Sequence, residues 1–262
     1  MSDHDEHPGF DAAHRGETFR RFDFTEAVFD DTYLVGARFK NVALKGARIT
    51  GSQVVDVDIT GEVERLTVNG VDVTDFVEAE LDRREPDRAK MRPRTPAEFR
   101  EAWDILERDW AQTVDRARVL DPDLLHERVD DEWSFIETLR HLVFATDAWV
   151  NRAYLGDPAP WDPLGLPHDD MEDAPGVPRD RSARPSLDEV LALRADRMAT
   201  VRRVFADLTD EQLAGTAEAV TEPGYPASTS FPVRRCLGAV VNEEWWHRQF
   251  AERDLAVLLG RR

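Results

Sequence analysis

Near the start of the chain, apolar residues recur at every fifth position, from Phe19 to Ile59. This period fits neither a β-strand, which repeats every two residues, nor an α-helix, which repeats every 3.6. Most of these positions follow a smaller side chain by two residues, as Phe39 follows Ala37. An unbroken period of five predicts a solenoid of short stacked repeats. The residues in phase are Phe19, Phe24, Phe29, Leu34, Phe39, Leu44, Ile49, Val54 and Ile59.

This pattern resembles the pentapeptide-repeat family, whose central Leu or Phe follows a small residue by two positions. The resemblance implies a short right-handed quadrilateral β-helix over residues 17–74, with the central residues stacked inside. Asn69-Gly70 lies between alternating apolar residues in Leu66–Val73, which predicts a hairpin. We interpret this hairpin as the C-terminal cap of the repeats. Some members of the family imitate DNA and bind topoisomerases, and the alternative is a small packing or dimerisation module.

The charge balance argues against several classes of partner. The chain has 34 Lys and Arg against 53 Asp and Glu, a net charge of −19. Such a surface repels phosphate, so we expect no nucleic-acid binding, although a DNA mimic stays open. The polar tail of residues 1–16 lacks the apolar region of a signal peptide, and the sequence contains no apolar run long enough for a membrane span. The single Cys236 fits a reducing compartment, so we predict a cytoplasmic protein.

The remainder of the chain is predicted to be helical. Residues 75–94 are densely charged and are interpreted as a linker that marks the domain boundary. Helices are predicted from Thr95 to about Arg118, from Ser134 to about Tyr154, from Ser186 to about Leu208, and over Val233–Leu259. The first three begin at cap residues. The predicted fold class is therefore α+β in two domains, a short β-helix followed by an all-α four-helix bundle over residues 95–262. The long connection 156–185 is interpreted as a lid.

The last helix carries an unusual pair. At about 100° per residue, Glu243 and His247 fall on the same stripe as Val233, Cys236 and Val240. A carboxylate on an apolar stripe is costly unless it is paired or binds a metal. Because Glu243 and His247 are four residues apart, their side chains meet on one side of the helix. They are therefore either two ligands of one ion or a hydrogen-bonded pair in the core.

A metal needs at least one further ligand. His141 is the one other histidine on a predicted bundle helix, and Ala145 and Ala148 leave space on its face. Two acidic residues of the last helix are assigned no role at the site. Glu244 lies beyond the stripe and is predicted to be solvated, and Asp254 is predicted to be exposed near the helix end.

This part of the chain resembles the DinB family of helical-bundle proteins. The resemblance is carried by Asp131-Glu132-Trp133-Ser134, which leads into Glu137-Thr-Leu-Arg-His141-Leu142, and by the Glu243/His247 pair. Many members bind a metal with three histidines. A glutamate in place of the second is the variant found in the mycothiol-dependent maleylpyruvate isomerase branch. The resemblance implies that His141, Glu243 and His247 are metal ligands.

Two imidazoles and one carboxylate leave a coordination position open, as in catalytic zinc sites. Zn²⁺ is the expected ion, and Ni²⁺, Fe²⁺ or Mn²⁺ also accept these donors. The resemblance favours transfer of a low-molecular-weight thiol such as mycothiol to a small electrophile, or thiol-assisted isomerisation. The alternatives are a metal-dependent hydrolase and a non-catalytic scaffold that uses the repeats. The resemblance also allows a homodimer, and the sequence assigns no general base.

Overall fold

A computed structural model describes residues 14–61, 63–169 and 171–261 of the chain. The chain divides into two compact units, one ending at residue 61 and one beginning at residue 62. The polar tail predicted for residues 1–16 falls mostly outside the described residues.

The repeat unit turns at every fifth residue. The turning residues have positive φ, a conformation that glycine, asparagine and aspartate adopt most readily. Backbone hydrogen bonds close alternate turns, for example from Ala37 N to Leu34 O at 3.0 Å and from Ala47 N to Leu44 O at 3.0 Å. The period of five in the sequence is therefore also a period of the backbone. The residues with positive φ are Gly16, Arg21, Glu26, Asp31, Gly36, Asn41, Gly46, Gly51, Asp56 and Gly61.

A closed β-helix is not confirmed for this unit. Residues 14–61 contain no strand, and the apolar residues in phase are all at least half exposed, from Phe19 at 50% to Ile49 at 75%. Successive rings still touch, since Phe24 lies 5.9 Å from Phe19 and 6.1 Å from Phe29 between ring centroids. A little over two coils give each repeat few neighbours against which to bury its apolar side chain.

The predicted hairpin is confirmed, but in the other unit. Strands β1 (Thr67–Val68) and β2 (Val71–Asp72) pair antiparallel. Asn69 and Gly70 between them both have positive φ, as a type I′ turn requires. The hairpin lies in the second unit, where Leu66 N donates to Thr74 Oγ1 at 2.9 Å. This bond ties the hairpin to the helix that follows it.

Helices occupy most of the segment that was predicted to be a linker. They are α1 (Thr74–Arg84) and α2 (Pro86–Lys90). The charges that suggested a solvated linker pair with one another, since Arg88 bonds Glu78 at 2.8 Å and Asp82 at 2.6 Å. Met91, at the end of α2, is buried in the main core. Internal ion pairs and one apolar anchor thus attach this segment to the second unit.

The second unit contains four long helices, and the first three begin at the caps predicted from the sequence. Thr95 accepts a hydrogen bond from Glu98 N, and Ser134 and Ser186 each form a complete capping box. The helices are α3 (Pro96–Ala117), α4 (Phe135–Thr146, continued by a π-helical turn over Asp147–Arg152), α5 (Leu187–Asp207) and, after a short α6 (Asp210–Ala214), α7 (Val233–Gly260). A 3₁₀ turn spans Pro122–His126, and β3 (Thr216–Ala217) pairs antiparallel with β4 (Phe231–Pro232).

Packing between these helices places α7 against both α3 and α4, while α5 contacts α3 and α4. The largest core cluster includes Phe99, Trp103, Phe205 and Leu237, with the rings of Phe99 and Phe205 5.2 Å apart. The contact between α4 and α7 brings the two predicted ligand-bearing helices side by side. In the described part of the chain, no helix is both long and apolar enough to span a membrane.

Candidate metal centre

The buried face of α7 is rotated by roughly 60° from the predicted stripe. Its centre carries Val233, Leu237, Glu244 and Ala251, all of them buried. The predicted stripe omitted Leu237, Val241 and Leu255, which draw the helix towards the core on that side. The Glu243 and His247 side chains therefore lie at the rim of the buried face, 30% and 18% exposed. A rim position lets a small molecule reach them.

Both predictions about the neighbouring acidic residues are wrong. Glu244 is fully buried and accepts two hydrogen bonds from Arg194 of α5, at 3.1 and 2.9 Å. The Arg194 guanidinium also lies 4.9 Å from the ring centroid of Trp110. Asp254 is buried and accepts from Arg253 at 2.7 Å. Glu244 is thus a structural ion-pair partner beneath the site.

The structure brings the three predicted ligands together. One ligand atom from each of His141, Glu243 and His247 lies within 4.8 Å of the others. His141 Nε2 is 3.3 Å from Glu243 Oε2, and the two imidazole centroids are 4.7 Å apart. Among the described residues, no other group of three or more His, Cys, Asp or Glu side chains converges in this way.

Hydrogen bonding shows which nitrogen of the His141 ring carries a proton. Its Nδ1 lies 2.9 Å from the carbonyl oxygen of Leu166, which can only accept, so Nδ1 carries the proton. In the neutral ring, Nε2 then presents a lone pair towards the Glu243 carboxylate at 3.3 Å. The neutral ring and the carboxylate are two acceptors that need a cation between them, whereas a ring that carries a proton on Nε2 donates a hydrogen bond to the carboxylate. The donor set therefore fits a bound metal ion, with Leu166 fixing the tautomer of the ligand.

The pKa shifts of His247 and Glu243 also fit their use as metal ligands. Burial, together with the charge of His141, lowers the pKa of His247 to about 4, so this ring is neutral at pH 7. Its Nδ1 lies 2.9 Å from the Glu243 backbone oxygen, to which it donates, and Nε2 is left as the basic nitrogen. Burial by itself raises the pKa of Glu243, but the hydrogen bond and charge of His141 and the charge of His247 outweigh it and lower the pKa. The result is a Glu243 carboxylate and a neutral His247 imidazole next to the His141 ring.

The 156–185 connection, interpreted from the sequence as a lid, is attached to α4 beside the site. Arg140 is buried and donates to the carbonyl oxygens of Leu164 at 2.7 Å, Ala183 at 3.1 Å and Asp180. Leu166 N in turn donates to Arg140 O at 3.2 Å. The sequence could not reveal this arrangement, because the partners in the connection are backbone carbonyls, which carry no side-chain signal.

A comparison with protein families decides the classification of this unit. The family model of the DinB superfamily matches residues 105–251, more than half of the chain. The chain belongs to the DinB superfamily. The matched DinB region contains His141, Glu243 and His247, the three residues that converge in the structure.

The repeat unit is also matched by a family model. Eight copies of the pentapeptide repeat cover residues 23–61, upstream of the DinB region. The sequence prediction of a DinB-like domain after a pentapeptide-repeat segment is thus confirmed. Searches of curated proteins and of solved structures find no significant match.

Proposed function

We propose that this DinB-superfamily protein is a metal-dependent thiol transferase, which transfers a low-molecular-weight thiol of the mycothiol type to a small electrophile. The observation that carries the proposal is the convergence of two imidazoles and one carboxylate between α4 and the rim of α7. We take the four long helices to form a four-helix bundle, a fold in which metal sites are built from side chains on facing helices. Zn²⁺ is the proposed ion because it prefers nitrogen and oxygen donors with one position left open.

The residues of the site have separable roles. His141, Glu243 and His247 would hold the ion, and Leu166 O and Arg140 would keep His141 in its binding tautomer. When bound, the divalent ion would lower the pKa of a thiol, so that the sulfur reacts as a thiolate. Overall, the sulfur forms a bond to an electrophilic carbon, that carbon gives up a leaving group or a π-electron pair, and the thiol proton passes to water.

Metal analysis is the first test. Protein purified without chelator should carry about one divalent ion per chain, measured by elemental analysis. The variant His247→Ala should lose most of this metal, since it removes one of three ligands. His126→Ala, a histidine outside the cluster, is the matched control and should keep the metal. If the wild-type protein has no stoichiometric metal and His247→Ala leaves the content unchanged, the proposed function is wrong.

A thiol panel is the second test. Mycothiol, bacillithiol and glutathione are each supplied with monochlorobimane, which becomes fluorescent when a thiol displaces its chloride. The metal-loaded protein should accelerate the reaction with one thiol well above the rate without protein, and His247→Ala should abolish the acceleration. Turnover of an ester by the metal-loaded protein without any thiol would instead support the metal-dependent hydrolase.

A further inference from the structure

Aromatic side chains flank the metal-ligand group on two sides. The Trp133 ring lies 4.5 Å from the His141 ring and 5.9 Å from the His247 ring, between centroids. The Phe144 ring is 6.0 Å from the His141 ring. Trp133 precedes α4 and Phe144 belongs to it, so one helix supplies a ligand and two aromatic neighbours. A molecule that reaches the ligand group therefore meets ring surfaces.

Two long connections extend this aromatic surface. Trp161, from the 156–185 connection, stacks on Phe144 with centroids 5.5 Å apart and planes 24° apart. Tyr225, from the connection between α6 and α7, stacks on Phe144 at 5.8 Å and 30°. Trp161 and Tyr225 are only partly buried, whereas Phe144 is almost completely enclosed. Each of the two outer rings is thus stacked on Phe144, and a stacked aromatic surface suits a flat ligand better than a puckered one.

Tyr225 adds a polar group to this wall. Within the described residues its hydroxyl makes no hydrogen bond, and it is not among their fully buried polar atoms, so it reaches solvent. Burial raises the pKa of Tyr225, and the charge of Glu243 raises it further. The hydroxyl is therefore protonated at neutral pH. It is available to donate a hydrogen bond to a bound molecule.

We propose that the electrophile is a flat aromatic compound, which stacks on the aromatic wall of Trp161 and Tyr225, the two partly exposed rings that pack on Phe144. The Tyr225 hydroxyl would orient it by donating to an oxygen atom of the compound. This inference rests on the proposed function, because it names the substrate class of that site. When the sulfur bonds to the electrophilic carbon, the displaced electron pair leaves with a halide or moves onto the substrate oxygen, where the hydrogen bond from Tyr225 stabilises it. The thiol proton passes to solvent.

Binding tests the proposal without any turnover. Three unreactive probes are titrated into metal-free and zinc-loaded protein by ligand-detected NMR. They are acetophenone, with a flat ring and a carbonyl; cyclohexyl methyl ketone, with the same carbonyl on a puckered ring; and ethylbenzene, with the flat ring alone. Acetophenone should bind about fivefold more tightly than either of the others, since it alone combines stacking with an acceptor.

Variants separate the contribution of ring stacking to binding from that of the Tyr225 hydrogen bond. Tyr225→Phe should weaken acetophenone about fivefold and leave ethylbenzene unchanged, because it removes one hydroxyl group. Trp161→Leu should reduce the preference for a flat ring over a puckered one. Tyr154→Phe removes a half-buried hydroxyl outside the aromatic wall and should change nothing. Equal binding of the two ketones, binding of none of the probes, or an equal loss of acetophenone and ethylbenzene in Tyr225→Phe would overturn the proposal.

The two proposals fail in different ways. The metal-loaded protein is supplied with mycothiol and either 1-chloro-2,4-dinitrobenzene, which is flat and aromatic, or iodoacetamide, which is neither. Tyr225→Phe should slow the first reaction severalfold more than the second. If both slow equally, the aromatic substrate class is wrong while thiol transfer stands. If no metal binds and no thiol is transferred, but the binding pattern of the probes holds, the proposed function is wrong while the aromatic site stands.

Discussion

At the scale of single residues, the buried neutral His247 makes the stability of the metal-free protein depend on pH. Its pKa falls from 6.5 to about 4 on folding, so the unfolded chain binds a proton first as the pH is lowered. The free energy of unfolding should therefore decrease between about pH 6.5 and pH 4, by up to about 3 kcal/mol from this residue. Urea denaturation in chelator across this range measures the loss.

The variant His247→Gln identifies the source of this effect. It cannot gain a proton in this range, so its stability should fall less steeply than that of the wild type. Parallel stability curves for the two proteins between pH 6.5 and pH 4 would contradict the prediction. Saturating metal should steepen the wild-type curve, because bound metal keeps the ligand imidazoles unprotonated in the folded state while the unfolded chain still takes up protons.

A second prediction for single residues concerns the buried ion pair between Arg194 and Glu244 and its effect on stability. Both side chains are almost completely buried, so removing one leaves the other as an unpaired charge. Arg194→Met should lower the free energy of unfolding by about 3–5 kcal/mol, measured by urea denaturation. The double variant Arg194→Met/Glu244→Leu should recover much of this loss. As a matched control, Arg202→Met breaks a half-exposed pair with Glu107 and should cost less than about 1 kcal/mol.

At the scale of elements, Arg140 joins α4 to the 156–185 connection and so supports the metal ligand beside it. Arg140→Met removes the donors to Leu164, Asp180 and Ala183, which should free the segment that carries Leu166 O. Loss of such an outer partner typically weakens metal affinity about 10- to 100-fold. Competition with a fluorescent chelator measures the affinity, and hydrogen exchange over residues 157–185 measures the loosening.

Arg100→Met supplies the control for this prediction. Arg100 donates to the backbone oxygen of Phe205 at 3.1 Å, which is a similar bond between elements away from the ligands. The metal affinity of the Arg100→Met variant should match that of the wild type. If Arg140→Met binds metal as tightly as Arg100→Met does, the connection does not support the site.

At the scale of the whole molecule, the second unit has its own core. The three clusters of buried apolar side chains that the described residues form all lie between Met91 and Leu258. A protein that begins at Glu62 should therefore fold, bind metal with unchanged stoichiometry and melt within a few degrees of the full chain, as followed by circular dichroism. Unfolding of the shortened protein, or loss of its metal, would show that the second unit depends on the repeats.

The sequence by itself determined the elements and most of the site. Capping residues located three of the four long helices, because a cap is a local interaction between residues three apart. The period of five located the repeats, and Asn69-Gly70 located a hairpin, since both are again local. The spacing of Glu243 and His247 showed that they share a side of one helix, but it left an ion and a hydrogen-bonded pair as alternatives.

Only the tertiary structure decided the surroundings of that pair. Which side of α7 is buried depends on the sum of its contacts with α3 and α4, so Glu244, and not Glu243, lies at the centre of the buried face. The exposure of the repeat residues depends on whether neighbouring coils cover them. Leu166 O reaches His141 from 25 residues along the chain. These contacts join residues far apart in the sequence, and local patterns carry no information about which distant groups meet.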